Sequence, residues 1–338
     1  MIDLNGKSIL VTGGSGFIGS NFIEYIIENY KDTYIINIDK YGIGSRQILK
    51  DEDTIPVEFT QINDCFYSFY KNDLTIKESI ESIFNRYKFD YIFHFAAESH
   101  VDRSISDPTF FITNNVGATA NVMQCVLEYQ RHNPRVINIS TDEVYGHLNY
   151  DEDPFNEDSP LNPRSPYSSS KAASDLISLS YHHTFGLDVI VTRCCNNYGN
   201  HQFDEKFIPT IIRKLSNKEK IPVYGKGGNV REWIHVRDHN KCVLEVADRG
   251  QSGSVYNIGS GVEMSNLQLI QKILDELGGY GRVELLDAVE FVEDRKGHDL
   301  RYAIESKYFK YKTPLVDFEK GLSETIKFYK KKYNYGTV

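Results

Sequence analysis

Residues 11–19 read Val11-Thr12-Gly13-Gly14-Ser15-Gly16-Phe17-Ile18-Gly19, and this stretch decides the fold. An apolar run ends here, three glycines follow in GxxGxxG spacing, and a helix-like run begins. The first glycine lets the chain turn, the second lets backbone N–H groups approach a pyrophosphate, and the third allows close helix–strand packing. The helix N-terminus then attracts the anion. A tight strand–helix turn would use the same glycines, so the triplet needs support. Asp39 supplies it, 20 residues past Gly19 at the end of the next strand-like run. A carboxylate there accepts hydrogen bonds from a ribose diol and repels a 2′-phosphate, so NAD is expected over NADP.

Working outward, strand-like runs at 8–12, 34–39, 66–71, 91–96, 136–140 and 188–193 alternate with helix-like runs at 16–29, 75–87, 108–131 and 168–185. Such alternation predicts a parallel sheet covered on both faces. After Asn200, Gly and Pro punctuate shorter pieces. The expectation is an α/β fold: a Rossmann doubly wound parallel sheet with a smaller C-terminal α/β substrate lobe. Residues 1–200 would form the NAD-binding domain with the catalytic residues, and 201–338 the sugar-nucleotide lobe. That boundary is soft, because late segments of such folds can return to the first sheet.

The chain has 338 residues, 40% hydrophobic and 25% charged, an ordinary globular balance. A net charge of −9 favours no nucleic-acid partner, so an anionic ligand needs local arginines and lysines. No stretch approaches the roughly 20 apolar residues of a membrane span. The five cysteines, Cys65, Cys125, Cys194, Cys195 and Cys242, form no CxxC pair. They read as reduced thiols in the cytoplasm, and no metal site is expected.

Tyr167 and Lys171 stand at i and i+4 on a helix-like run, so both project from one face. An ammonium beside a phenol stabilises phenolate, which could act as base at a sugar hydroxyl. Ser140-Thr141-Asp142-Glu143 follows the fifth strand of the dinucleotide-type sheet, and ligands sit at the carboxyl ends of such strands. Neighbouring carboxylates push their pKa values apart, so Asp142 and Glu143 can supply one acid and one base. A solvated helix cap would also use these acids.

Longer motifs carry a resemblance over nearly the whole chain: TGGSGFIGS from Thr12, HFAAESHVDRS from His94, TNN from Thr113, STDEVYG from Ser140, SPYSSSKAASD from Ser165, NNYG from Asn196 and GHDLRYAI from Gly297. On these the chain resembles the dTDP-glucose 4,6-dehydratases, and more broadly the extended short-chain dehydrogenases. The resemblance implies a redox-neutral cycle. Tyr167 takes the proton of the sugar 4-hydroxyl, supported by Lys171, as C4 hydride passes to NAD⁺. Thr141 binds the 4-oxygen, Glu143 removes the C5 proton and Asp142 protonates the departing 6-hydroxyl. Hydride returns to C6, and Glu143 reprotonates C5. An epimerase or decarboxylase on this scaffold would not need Asp142 and Glu143. An idle NAD-binding regulator would need none of the five.

The same resemblance places Gly13, Gly16, Phe17, Ile18, Gly19, Asp39, Lys40, Asp73, Leu74, Ala96, Ala97, Ser99, Thr113 and Asn197 at the cofactor, with Tyr167 and Lys171. Glu98 and Asn196 would face the sugar, beside Thr141. Lys206, Phe207, Pro222, Tyr224, Arg231, Asn266, Arg295 and His298 would hold the nucleotide diphosphate. Asn200, Asp204 and Lys296 stand where the family usually has proline, which leaves UDP-glucose open beside dTDP-glucose. The stretch His201-Gln202-Phe203 partly resembles the UDP-glucose branch. Finally, the helices at 108–131 and 168–185 carry Val116, Ala120, Met123, Val126, Leu176 and Leu179 beyond what one sheet face needs. The family pairs these helices into a four-helix bundle, so a homodimer is expected.

Overall fold

The computed structural model describes residues 2–48, 59–278, 284–313 and 315–335. In its first half, β1 (Ser8–Thr12), α1 (Phe17–Asn29), β2 (Tyr34–Asp39), β3 (Thr60–Ile62), β4 (Cys65–Lys71), α2 (Lys77–Arg86), β5 (Tyr91–His94), α3 (Val101–Ser106), α4 (Pro108–Tyr129), β6 (Arg135–Thr141), α5 (Pro166–Phe185) and β7 (Val189–Cys194) follow in order. The second half holds β8 (Asn196–Tyr198), α6 (Phe207–Ser216), β9 (Ile221–Tyr224), β10 (Val230–His235), α7 (Val236–Arg249), β11 (Val255–Ile258), β12 (Glu263–Ser265), α8 (Asn266–Leu277), the single turn α9 (Leu285–Ala288), β13 (Val289–Val292) and α10 (Phe318–Lys332).

Eight strands form one sheet in the order β11-β7-β6-β5-β1-β2-β4-β3. All pair in parallel except β3, which runs antiparallel to β4 at the edge. The chain leaves β1 toward β2 and β4, then jumps back to place β5 on the other side of β1. The resulting switch point lies between β1 and β5, where such sheets bind their ligands.

Both faces are covered, which is why β1, β2 and β7 are near-continuous apolar runs. On one face Phe22, Ile23 and Ile26 of α1 share a core with Val243, Leu244 and Ala247 of α7. On the other, Ile80, Ile83 and Phe84 of α2 meet Val122, Met123 and Val126 of α4. A separate core joins Ile208, Ile211 and Ile212 of α6, Leu269, Ile270 and Ile273 of α8, and Leu322 and Ile326 of α10. Two segments beyond residue 200 serve the first sheet: β11 is its edge strand beside β7, and α7 covers α1.

Met123 and Val126 were expected to be surplus to the sheet. They are fully buried against it, so they are ordinary core. Leu176 is left over as expected, 59% exposed, and Phe110, Ile112 and Phe185, which were not expected, are exposed as well.

Candidate active site

The loop from β1 into α1 has no room for side chains. Gly13 has φ +69°, and a Cβ on it would lie 2.6 Å from the Ala96 Cα. A Cβ on Gly19 would lie 2.4 Å from the Gly13 carbonyl oxygen. Both are far inside contact distance, so the glycines hold α1 against the sheet with its N-terminus open to an anion. Asp39 is fixed at the end of β2: its carboxylate accepts from Ser15 N at 3.1 Å and Tyr41 N at 2.7 Å. Burial raises its pKa, and those two N–H groups oppose the rise.

One cleft runs from this loop to the carboxyl ends of β5, β6 and β7. Every residue expected at the cofactor lines it except Thr113. Thr113 is exposed on α4, and its neighbour Asn114, about 100° further round the helix, lines the cleft instead. Lys40 donates to Asn114 Oδ1 at 2.8 Å and pairs with Glu98 at 2.7 Å. Glu98 was expected to face the sugar; it stands in this cleft and is absent from the wall of the neighbouring cavity. Asn197 lines the cleft with a buried Oδ1 that accepts no hydrogen bond. Glycines without side-chain room, a fixed carboxylate at the second strand end and an unsatisfied amide oxygen deep in the cleft together fit a dinucleotide.

Thr141 ends β6, and its hydroxyl donates to Asp142 Oδ1 at 3.1 Å and accepts from Glu143 N at 3.3 Å. Asp142 and Glu143 begin a short 3₁₀ turn. Opposite them, α5 is started by Pro166 and by a reciprocal cap between Ser165 and Ser168, which fixes Tyr167 in the first turn. Lys171 follows one turn later and donates to the Ile139 carbonyl at 2.8 Å.

The expected phenol–ammonium effect is outweighed in this structure. Tyr167 is pushed well above its ordinary value by burial, with Glu143, Cys194 and Asp142 adding to the rise. Burial also pushes Lys171 down. The Asp142–Glu143 pair behaves more as expected. Asp142 is driven well above the carboxylate range by burial, with Glu143 and Glu232 adding to the rise. Burial raises Glu143 too, but Arg231, Lys206 and Arg295 all hold it down. Asp142 is therefore the better acid and Glu143 the better base.

A second cavity opens beyond Glu143, which lines both, as do Asn196, Lys206 and Phe207. Pro222, Tyr224, Arg231, Asn266, Arg295 and His298 complete the expected nucleotide set there. Arg231 is held by the Val230 carbonyl at 2.7 Å and the Asp299 carbonyl at 3.0 Å, with its guanidinium 4.3 Å from the Tyr302 ring centre. Lys206 donates to the Ser99 carbonyl at 2.7 Å. His298 is 2.7 Å from Asp294. Asn266 does not cap α8; Ser265 does, with Gln268. Asp102, Trp233, Asp299 and Tyr302 also line this cavity without having been assigned a place there. Asp102, Asp299 and Tyr302 stood inside quoted motifs, whereas nothing local to Trp233 marked it. Of the positions lacking the usual proline, Asp204 is pinned by Lys332 at the end of α10 and by Tyr333 just after it, each at 2.6 Å.

A dinucleotide cleft and an anion-holding cavity, meeting at an acid–base set, define a short-chain dehydrogenase that works on nucleotide sugars. The family described as GDP-mannose 4,6 dehydratase matches residues 10–325. The chain is 40% identical to a dTDP-glucose 4,6-dehydratase of Haemophilus influenzae, over 95% of this chain and 97% of that one. A Streptomyces venezuelae dTDP-glucose 4,6-dehydratase, solved with NAD bound, superposes with a TM-score of 0.85 at 38% identity, covering 97% and 98% of the two chains. A UDP-glucose 4-epimerase of Thermotoga maritima is further off, with a TM-score of 0.79 at 26% identity over 96% and 99%. The chain belongs to the 4,6-dehydratase family, the hydro-lyase branch of this class.

Proposed function

We propose that this chain converts a nucleoside-diphosphate glucose, with dTDP-glucose as first substrate, to its 4-keto-6-deoxy derivative with NAD as resident cofactor. The observation that carries this is the Asp142–Glu143 pair after β6: Glu143 stands in the wall shared by the two cavities, and Asp142 is buried directly beside it. Oxidation at C4 alone, as in an epimerase, has no use for two more proton carriers. NAD, when bound, accepts hydride at C4 and returns it at C6.

The chain's own residues handle the protons. Tyr167 takes the proton of the 4-hydroxyl, and Thr141 holds that oxygen. Lys171 favours the phenolate by its charge. Glu143, whose rise on burial is opposed by three cations, removes the C5 proton, which the new 4-keto group has acidified. Asp142, raised first by burial and then by its carboxylate neighbours, gives its proton to the departing 6-hydroxyl, and water leaves. Glu143 then returns a proton to C5, and Tyr167 and Asp142 are reset through solvent and substrate. Arg231, Lys206 and Arg295 neutralise the diphosphate. Gly13, Gly16, Asp39 and Asn197 hold the dinucleotide.

Two further readings accompany this. The chain works as a homodimer, supported by the exposed Ile112 and Leu176 on the adjacent helices α4 and α5. It works in the cytoplasm, supported by five buried unpaired thiols and, among the described residues, no helix able to cross a membrane. The test is direct. Purified protein is given dTDP-glucose and UDP-glucose separately, and each product is examined by mass and by alkaline absorbance. Loss of one water with a 4-keto absorbance is expected, faster with dTDP-glucose. An unchanged mass with both substrates, or an epimer, overturns the reading.

A further inference from the structure

Asp175 closes the SPYSSSKAASD motif four residues after Lys171, so the two side chains leave the same face of α5 with Cβ atoms about 6 Å apart. It is fully buried. Its Oδ2 accepts from Arg193 Nε at 3.0 Å, and its Oδ1 accepts from Asn138 Nδ2 at 3.3 Å. Arg193, on β7, is buried as well and donates to the Tyr145 hydroxyl at 2.9 Å, its guanidinium 4.8 Å from that ring centre. The Tyr145 hydroxyl donates to Asn257 Oδ1 at 2.8 Å, and Asn257 N donates to Glu157 at 2.9 Å. A line of polar groups thus runs from the catalytic helix under the sheet end to Glu157.

Folding does not ask for this arrangement. Removing two charges from water is expensive, and an apolar pair of equal volume often stabilises a core as well or better. The catalytic ammonium gives a reason for it. Lys171 is buried and donates to the Ile139 carbonyl, a dipole without net charge. Two ionisable groups beside it are held neutral. His94 of β5 is held down to about 3 by burial, and Cys194 of β7 is pushed up to about 12. Tyr167 is pushed up on the same helix. Asp142 and Glu143, at the end of β6, face Tyr167 and are themselves raised. Burial raises Asp175 as well, but the Arg193 and Lys171 charges both hold it down, so Asp175 supplies the counter-charge for which the two cations compete.

We propose that Asp175 is a positioning residue for Lys171: its carboxylate, held in place by Arg193 and Asn138, sits one turn along the same buried helix face, and its charge keeps the Lys171 ammonium charged one turn from Tyr167. The proposal rests on Tyr167 and Lys171 being the pair that acts at C4. The direction of the Lys171 shift agrees, since burial lowers it and Asp175 is the strongest influence raising it.

The two partners of one ion pair should then act on Lys171 with opposite signs, which a merely structural pair would not do. The test titrates the Lys171 ε-methylene by NMR in 13C-lysine-labelled protein, its signal assigned by its loss in Lys171→Arg. Asp175→Asn removes the counter-charge and should lower the midpoint by about one pH unit or more. Arg193→Gln removes the competitor and should raise it. A lone buried charge threatens folding, so the double variant Asp175→Asn/Arg193→Gln, which leaves none, is measured beside them. Its midpoint should lie below wild type and above Asp175→Asn. The alkaline limb of the rate profile should move with each midpoint. Equal midpoints in wild type and the double variant, or single variants moving the same way, overturn the proposal. The titration needs no turnover, so a wild-type protein that forms no keto sugar defeats the functional reading while leaving this one to stand or fall on its own.

Discussion

Asp142 and Glu143 are consecutive, yet they sit in opposite electrostatic surroundings. Glu143 looks toward Arg231, Lys206 and Arg295, whereas Asp142 has Glu143 and Glu232 as its leading charged neighbours. The strand end turns one carboxyl toward the anion cavity and buries the other behind it. Two identical chemical groups thereby acquire different tasks.

Glu143→Gln keeps the shape and removes the base. C4 oxidation should survive, because it needs only Tyr167, Lys171 and Thr141. Turnover should fall by roughly 10² or more, the usual scale for a general base. The reduced-nicotinamide absorbance should then persist instead of decaying, and in deuterated water no deuterium should enter C5. Near-normal product formation by this variant would move the C5 base elsewhere, with Glu98, which lines the same cleft, next to be tested.

Asp142→Asn should stabilise the protein while disabling it. A carboxyl whose folded-state pKa is raised binds its proton more tightly folded than unfolded. Its stability is fully present below the ordinary carboxylate value and is lost as pH rises through the raised value. An uncharged isostere escapes that loss. The melting temperature of the variant should exceed wild type by roughly 2 °C or more at pH 8. The gap should close toward about pH 4, where both side chains are neutral. A variant less stable than wild type at pH 8 would mean that Asp142 is not held protonated by its surroundings.

Arg231→Ala should raise KM for the nucleotide sugar roughly 10- to 100-fold, since a charge-assisted contact to the diphosphate is the same in ground and transition states. The guanidinium also lowers Glu143, so its loss should shift the acidic limb of the rate profile upward. At pH 8 and saturating substrate, turnover should stay within about threefold of wild type. A large fall there would place Arg231 in the chemistry.

NAD should copurify, because the cycle returns it to its starting state. Denaturing a fresh preparation should release about one nicotinamide dinucleotide per chain. Gly13→Ala should lose it and destabilise the fold, because the new methyl would meet the Ala96 backbone at a positive φ. A preparation free of NAD that depends strictly on added NADP would contradict the role given to Asp39.

Light scattering should report a mass of two chains. Leu176→Glu should shift it toward one chain, because the side chain is exposed on α5 and a buried charge at a two-fold seam is costly. A wild-type mass near 38.8 kDa at micromolar concentration would count against the dimer.

The sequence by itself determined the sheet, the glycine turn and the acid–base motif, because each is written in neighbouring residues. Hydrophobic runs of strand length, glycines at fixed spacing and a carboxylate at a strand end need no distant partner to be read. The antiparallel β3, three residues long at the sheet edge beside β4, carried no such pattern and was missed. Tertiary structure alone decided the rest. It brought α7 and β11 back to the first sheet, because their apolar faces had to be buried there. It set Glu98 against Lys40, buried Met123 and Val126, and turned Asn114 rather than Thr113 into the cleft. Above all, it gave Asp142 and Glu143 their different electrostatic surroundings. Three cations from β10, the α6 start and the loop before Gly297 converge on one, and none of those distances can be read along the chain.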